Sequence, residues 1–187
     1  NKNINHRLSV LHRLRSHLNN RQLKTIADGL IMSRLRYCLP VWGTELIRTS
    51  EPDPICAIAH ELQVIQNDTL RIIMGKKRKD HVKISDMLAS TNMLSINQIA
   101  AYSTLMEIWK ARAFNVPHLS SLLAKSQPRG DRTLRSESAG LFLASIDEPF
   151  TVCGAKLWNT TSDRFKTTNL LAIAMSEAKN AVKKLPI

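Results

Sequence analysis

The spacing of aliphatic residues constrains this chain more than any other feature. Ile4, Leu8, Leu11, Leu14 and Leu18 recur three or four residues apart, which aligns them on one stripe of an α-helix and rules out the strict alternation of a half-buried strand. Asn19 and Asn20 offer a turn and an N-cap. The same period resumes through Leu23, Ile26, Ala27, Leu30, Ile31 and Leu35, until Pro40 is expected to stop the helix. Together the two segments predict a helical hairpin.

Further along, the acidic, proline-bearing "TSEPDP" at 49–54 reads as a surface connection, and "ICAIAHELQVIQNDTLRIIM" as a helix running to Gly75, placed as a C′ residue. "KKRKD" at 76–80 must be an exposed loop, because adjacent cations are not buried without partners. A short helix is expected around 85–90. Ile96, Ile99, Ala100, Ser103, Met106, Trp109 and Ala113 then mark a long helix ended by Asn115 and Pro117, with a short turn at 118–124. "KSQPRGDRTLRSESAG" at 125–140 has no apolar stripe and many turn formers, so it reads as a mobile basic linker. After it, "LFLASIDE" predicts a short strand or extended arm and "FTVCGAKLW" a short helix. A terminal helix over 169–184 carries Leu170, Ile173, Ala178 and Val182. The expected architecture is all-α: a basic helical bundle over 1–124, the linker over 125–140, and a small C-terminal helical segment over 141–187.

Charge narrows the function. Twenty-seven Lys and Arg against fifteen Asp and Glu leave a net charge of +12 and a pI near 10.1, which points to a polyanionic partner. Cys38, Cys56 and Cys153 are scattered, without metal-ligand or disulfide-framework spacing, so a reducing, intracellular compartment is expected, nuclear or cytoplasmic. No apolar run approaches the roughly 20 residues of a bilayer span, and "NKNINHRLS" lacks the apolar core of a signal peptide. A soluble chain with no membrane partner is expected. Position 1 is Asn rather than Met, and the chain is expected to be a segment of a longer protein.

Catalytic patterns are missing. Two-metal nucleotidyl transfer needs carboxylates gathered about 4 Å apart around the ions, yet no Asp-Asp pair exists, and Asp147 and Glu148 before Pro149 read as solvated loop acids. Leu70 stands where a P-loop would need its first glycine ahead of Gly75-Lys76. His6, His12 and His17 are not spaced to share one helical face as metal ligands. No serine or cysteine sits in a glycine-flanked nucleophile elbow. Neither a cofactor nor independent enzymatic activity is expected.

Cations carry the candidate site. Arg7, Arg13, Arg15, Arg21, Lys24, Arg34 and Arg36 lie on the hairpin, where the only acid is Asp28. Arg7, Arg13 and Arg15 avoid the leucine stripe and are expected to face solvent or a phosphate backbone. Lys76, Lys77, Arg78 and Lys79, with Lys83, repeat the signature on a loop, as do Lys125, Arg129, Arg132 and Arg135; "KKRK" also suits a nuclear-localisation run. Aromatic residues make up only 5% and are not interleaved with the cations, which favours phosphate and shape readout over base stacking. Trp42, Trp109 and Trp158 read as core anchors. In "SRLRYCLPVWG", Leu35, Tyr37 and Leu39 are expected to pack, Trp42 to plug the core and Gly43 to release the chain. Arg34 and Arg36 remain as candidate site residues there.

Three runs in order, "LIMSRLRYCLPVWG", "LQVIQNDTLRIIMG" and "GAKLWNTTSDRFKTTNLLAIAM", resemble the region downstream of the polymerase core in non-LTR (LINE-type) retrotransposon reverse transcriptases, Jockey-like elements especially. Ser33, Leu35, Tyr37, Trp42 and Gly43 match a serine-x-leucine-x-tyrosine run that ends in tryptophan-glycine. Leu62, Gln63, Gln66, Asn67, Leu70, Arg71 and Gly75 match a glutamine- and asparagine-bearing helix, and Trp158 and Asn159 match a tryptophan-asparagine-leucine-proline motif. The chain departs from the pattern at Thr160 and Thr161, where leucine and proline are usual, and at Ile173 and Ala174, where phenylalanine and lysine would stand. The resemblance implies a helical thumb that grips RNA or an RNA–DNA template-primer, with the fingers, the palm and its metal-binding aspartates upstream of Asn1. The alternative reading is a helical protein-interaction module that docks on an acidic partner and uses the 95–114 helix as an apolar groove. A free-standing enzyme is the remaining possibility. With the palm carboxylates missing from the sequence, the purified chain should extend no primer with magnesium or manganese. A chelator-sensitive extension product on a denaturing gel would contradict that expectation.

Overall fold

The computed structural model describes residues 2–47, 57–116 and 149–185, and among them all regular structure is helical, so the fold is all-α as expected. The backbone runs through α1 (Lys2–Leu14), α2 (Asn20–Ala27), a widened π turn (Asp28–Met32), α3 (Ser33–Arg36), α4 (Leu39–Trp42) and a 3-10 turn (Thr44–Leu46). It continues through α5 (Ala57–Met74), a 3-10 turn (Arg78–Asp80), α6 (Ile84–Thr91) and α7 (Ile96–Ala113), then α8 (Pro149–Thr160), α9 (Asp163–Thr167) and α10 (Leu171–Val182). The described residues form two compact units, 2–37 with 57–96, and 38–47 with 97–116 and 149–185. The linker expected at 125–140 lies outside the described residues, as do the turn at 118–124 and the arm at 141–148.

In the first unit, the α1 stripe turns Leu11 fully inward, while Ile4, Leu8 and Leu14 are half-buried. Asn19 then caps α2 in a reciprocal box: its side chain accepts from the Gln22 amide at 3.0 Å, and its amide donates to Gln22 Oε1 at 3.1 Å. Leu23, Ala27, Ile31, Met32 and Leu35 are buried along the helical run that follows. In α5, Leu70 and Ile73 face the core together with the polar Gln66, Asn67 and Thr69. Gln63 Nε2 donates to Gln66 Oε1 at 3.0 Å and to Asn67 Oδ1 at 2.9 Å. The pair then reaches the backbone ahead of α7: Gln66 Nε2 donates to the Leu94 carbonyl at 2.7 Å, and the Ile96 amide donates to Gln63 Oε1 at 3.3 Å. The amides of a helix's first turn have no partner within the helix, and half-buried Gln63 supplies one to Ile96 here.

Helix formation stops earlier than Pro40. A proline ring in a continuing helix collides with the carbonyl four residues back, which here would be that of Arg36, and the helix ends at that residue. Tyr37 is extended, Cys38 is left-handed with φ 51°, and Pro40 falls in the first turn of α4, where its missing N–H leaves nothing unpaired. This reorientation corrects two expectations. Leu39 is buried at 1% exposure, but Tyr37 is 74% exposed and Trp42 41% exposed, so neither plugs a core. Gly43 is required for a different reason than chain release: a Cβ there would lie 2.5 Å from the Leu39 carbonyl oxygen.

In the second unit, α7 is buried on nearly every side through Ile99, Ala100, Ala101, Leu105, Met106, Ile108, Trp109 and Ala111. Helix α8 crosses it closely at Gly154, where a Cβ would sit 2.7 Å from Ile108 Cδ1. Trp158 packs on Phe165 with ring centroids 5.4 Å apart, both essentially inaccessible. Trp109 Nε1 donates to the Thr168 carbonyl at 3.0 Å, so that buried indole is satisfied. Ser162 caps α9 through the Phe165 amide, and α10 buries Ala174, Ala178 and Val182. Leu170, expected on the buried stripe, is exposed. Replacing Trp158 with Ala should destabilise the fold by about 3–5 kcal/mol. Trp42→Ala should cost less, about 1–2 kcal/mol, since 41% of its surface is already exposed. Urea unfolding of both variants, followed by circular dichroism, checks the contrast.

Candidate nucleic-acid interface

The cations singled out in the sequence divide by what they touch. Arg15 Nη1 donates to the Ile72 carbonyl and, at 2.8 Å, to that of Ile73. These are last-turn carbonyls of α5, where the helix dipole leaves partial negative charge that a guanidinium neutralises. Gly75, at φ +69°, finishes the same helix: its amide donates to Ile72 O at 3.3 Å and the Lys76 amide to Arg71 O at 2.9 Å. A Cβ at Gly75 would overlap the Arg15 guanidinium. Lys24 does the same for α6, donating Nζ to the Thr91 carbonyl at 2.6 Å beside the left-handed Asn92. Arg7 Nη1 donates to the Leu30 carbonyl in the π turn at 3.0 Å. Arg7 and Arg15 are thus half-buried and do not project to solvent, because α2, the π turn and α5 pack against α1.

Other cations are exposed. Arg13, Arg21 and Arg34 lie at the surface with no side-chain partner among the described residues, and Arg36 pairs with Asp28 at 3.3 Å. Lys125, Arg129, Arg132 and Arg135 lie outside the described residues.

One group of cations converges. Helix α1, the C-terminal end of α5 and the 76–80 loop enclose an open-sided groove of about 490 Å³, lined by Leu8, Ser9 and His12 from α1, by Asp68, Arg71 and Ile72 from α5, and by Lys76, Lys77 and Arg78. Asp68 accepts from Arg71 Nη1 at 3.2 Å and receives the fork of Arg78, Nε at 3.2 Å and Nη2 at 2.6 Å. The hydrogen bond to Asp68, and then its charge, raise the Arg78 pKa further above its ordinary value. Asp80 closes the loop by accepting the Lys77 amide at 2.8 Å. Lys79 is exposed but does not line the groove. No family model, curated protein or solved structure matches this chain.

Two arginines, two lysines and a single carboxylate around an open channel suit a phosphodiester backbone running past, and there is little enclosed apolar volume to hold a small molecule. Sequence patterning missed Arg71, Asp68 and His12 as members of this site. The available signal was position: Arg71 stands one turn before the terminal Gly75, three residues after Asp68. Several residues matched in the resemblance serve packing instead, since Gln63, Gln66 and Asn67 satisfy one another and the backbone at 94–96. Elsewhere, burial pushes the Cys153 thiol above its ordinary pKa, with nearby Lys156 opposing, which keeps it protonated and weakly nucleophilic at neutral pH. Because Arg15 holds the end of α5 that presents the loop, Arg15→Gln should destabilise the protein by about 1–3 kcal/mol. A thermal melt checks this, and an unchanged midpoint would remove Arg15 from the structural role.

Proposed function

We propose that this chain is a non-catalytic, nucleic-acid-binding portion of an RNA-directed DNA polymerase, lying downstream of the polymerase core, and that it holds RNA or an RNA–DNA hybrid through its phosphates. The observation that carries the reading is the groove in which Arg71, Lys76, Lys77 and Arg78 gather around one carboxylate, on a chain of net charge +12. A-form duplexes hide their base edges in a deep, narrow major groove, so proteins hold them by shape and backbone contact. The scarcity of aromatic residues agrees with that mode and argues against stacking on single strands. The fingers and palm of the same polyprotein would be the natural protein partner.

The test uses the lysines that line the groove without an ion-pair partner among the described residues, Lys76 and Lys77. Replacing both with Gln should make the log-log salt dependence of RNA-duplex binding shallower by about 1.8, taking roughly 0.9 per phosphate from B-DNA as a guide. The loss should be alike for unrelated duplex sequences, because backbone contacts carry no base information. Fluorescence anisotropy across a salt series measures both. An unchanged slope in the folded double variant would take the phosphates away from this groove.

A further inference from the structure

Asp68 is a carboxylate set inside the cationic groove, and its two oxygens engage the guanidinium groups of Arg71 and Arg78. A carboxylate and a phosphodiester present the same fork of acceptor oxygens to arginine. We infer that Asp68 is a built-in competitor for the groove's arginines, and that nucleic-acid binding transfers Arg78 from Asp68 to a backbone phosphate. The inference rests on the proposed nucleic-acid reading and deepens it.

Three features make the exchange feasible. The Arg78 side chain is 73% exposed and stands on a three-residue turn, so it can swing without disturbing a helix. Its guanidinium has no other hydrogen-bond partner among the described residues, so nothing else needs to break. Asp68, only 24% exposed, keeps Arg71 at 3.2 Å after Arg78 departs, so its half-buried charge is not orphaned. The consequence is selectivity. A lone phosphate merely substitutes one anion for another at Arg78 and gains little. A polyanion that reaches Lys76 and Lys77 as well gains contacts Asp68 cannot supply.

The experiment compares the full chain with Asp68→Asn, which keeps an acceptor for Arg71, in binding a short blunt RNA duplex at fixed salt. The variant should bind about fivefold more tightly, the upper scale of an exposed ion pair. The gain should vanish in the Arg78→Gln background, as coupled neighbours require. Asp86→Asn, the same charge change at an exposed position of α6, should not reproduce it. Independently of how Asp68→Asn folds, Arg78→Gln alone should make the salt slope shallower by about 0.9, because Arg78 meets a phosphate in the complex. A gain that survives Arg78→Gln, an equal gain from Asp86→Asn, or an unchanged slope for Arg78→Gln would each overturn the inference. If the duplex binds neither protein, the proposed function falls with it. If Lys76 and Lys77 control binding but Asp68→Asn gives no gain, only the competitor role is lost.

Discussion

The C-terminal turn of α5 is the point on which the candidate site depends. Its carbonyls would otherwise face the groove as an uncompensated negative pole, beside the phosphates the groove is proposed to hold. Arg15 and the left-handed Gly75 neutralise and close that end together, and the chain leaves it directly into the 76–80 loop. A side chain at Gly75 would displace the guanidinium that seals the helix, so the glycine is required by its neighbour as well as by its φ. Arg15 thereby ties the end of α1 to the end of α5, the two elements between which the groove opens.

The same device recurs in the first unit. Lys24 seals the end of α6, and Arg7 occupies a carbonyl in the π turn. A basic hairpin therefore spends part of its charge on its own backbone. At helix ends each such contact is worth a few tenths to about 2 kcal/mol, depending on burial. What remains outward, together with the loop lysines, sets the surface field that a polyanion would meet.

Buried polarity divides the resemblance from the site. Gln63, Gln66 and Asn67 form a network that serves the start of α7, where an unsatisfied amide or amide side chain would be costly in the core. Residues of this kind serve the fold and need touch no ligand. Arg71 differs from them in sharing that helix while lining the groove.

Helical periodicity and the local turn residues determined the all-α class, the Asn19 cap, the Gly75 terminus, and the burial of Leu11, Leu23 and Leu35. Each of these follows from local geometry and the exclusion of apolar surface from water. Composition likewise exposed the excess of cations. Tertiary structure decided which cations are free. Arg7, Arg13 and Arg15 all avoid one stripe of α1, yet a helix packed on two flanks buries more than a stripe, so only Arg13 stays in solvent. The exposure of Tyr37 and Trp42 was also decided there, because one left-handed residue, Cys38, redirects α4 and breaks the register that periodicity assumes. The meeting of Asp68 with Arg78 followed from a Schellman turn that brings the loop back over the last turns of α5, a closure no spacing rule encodes.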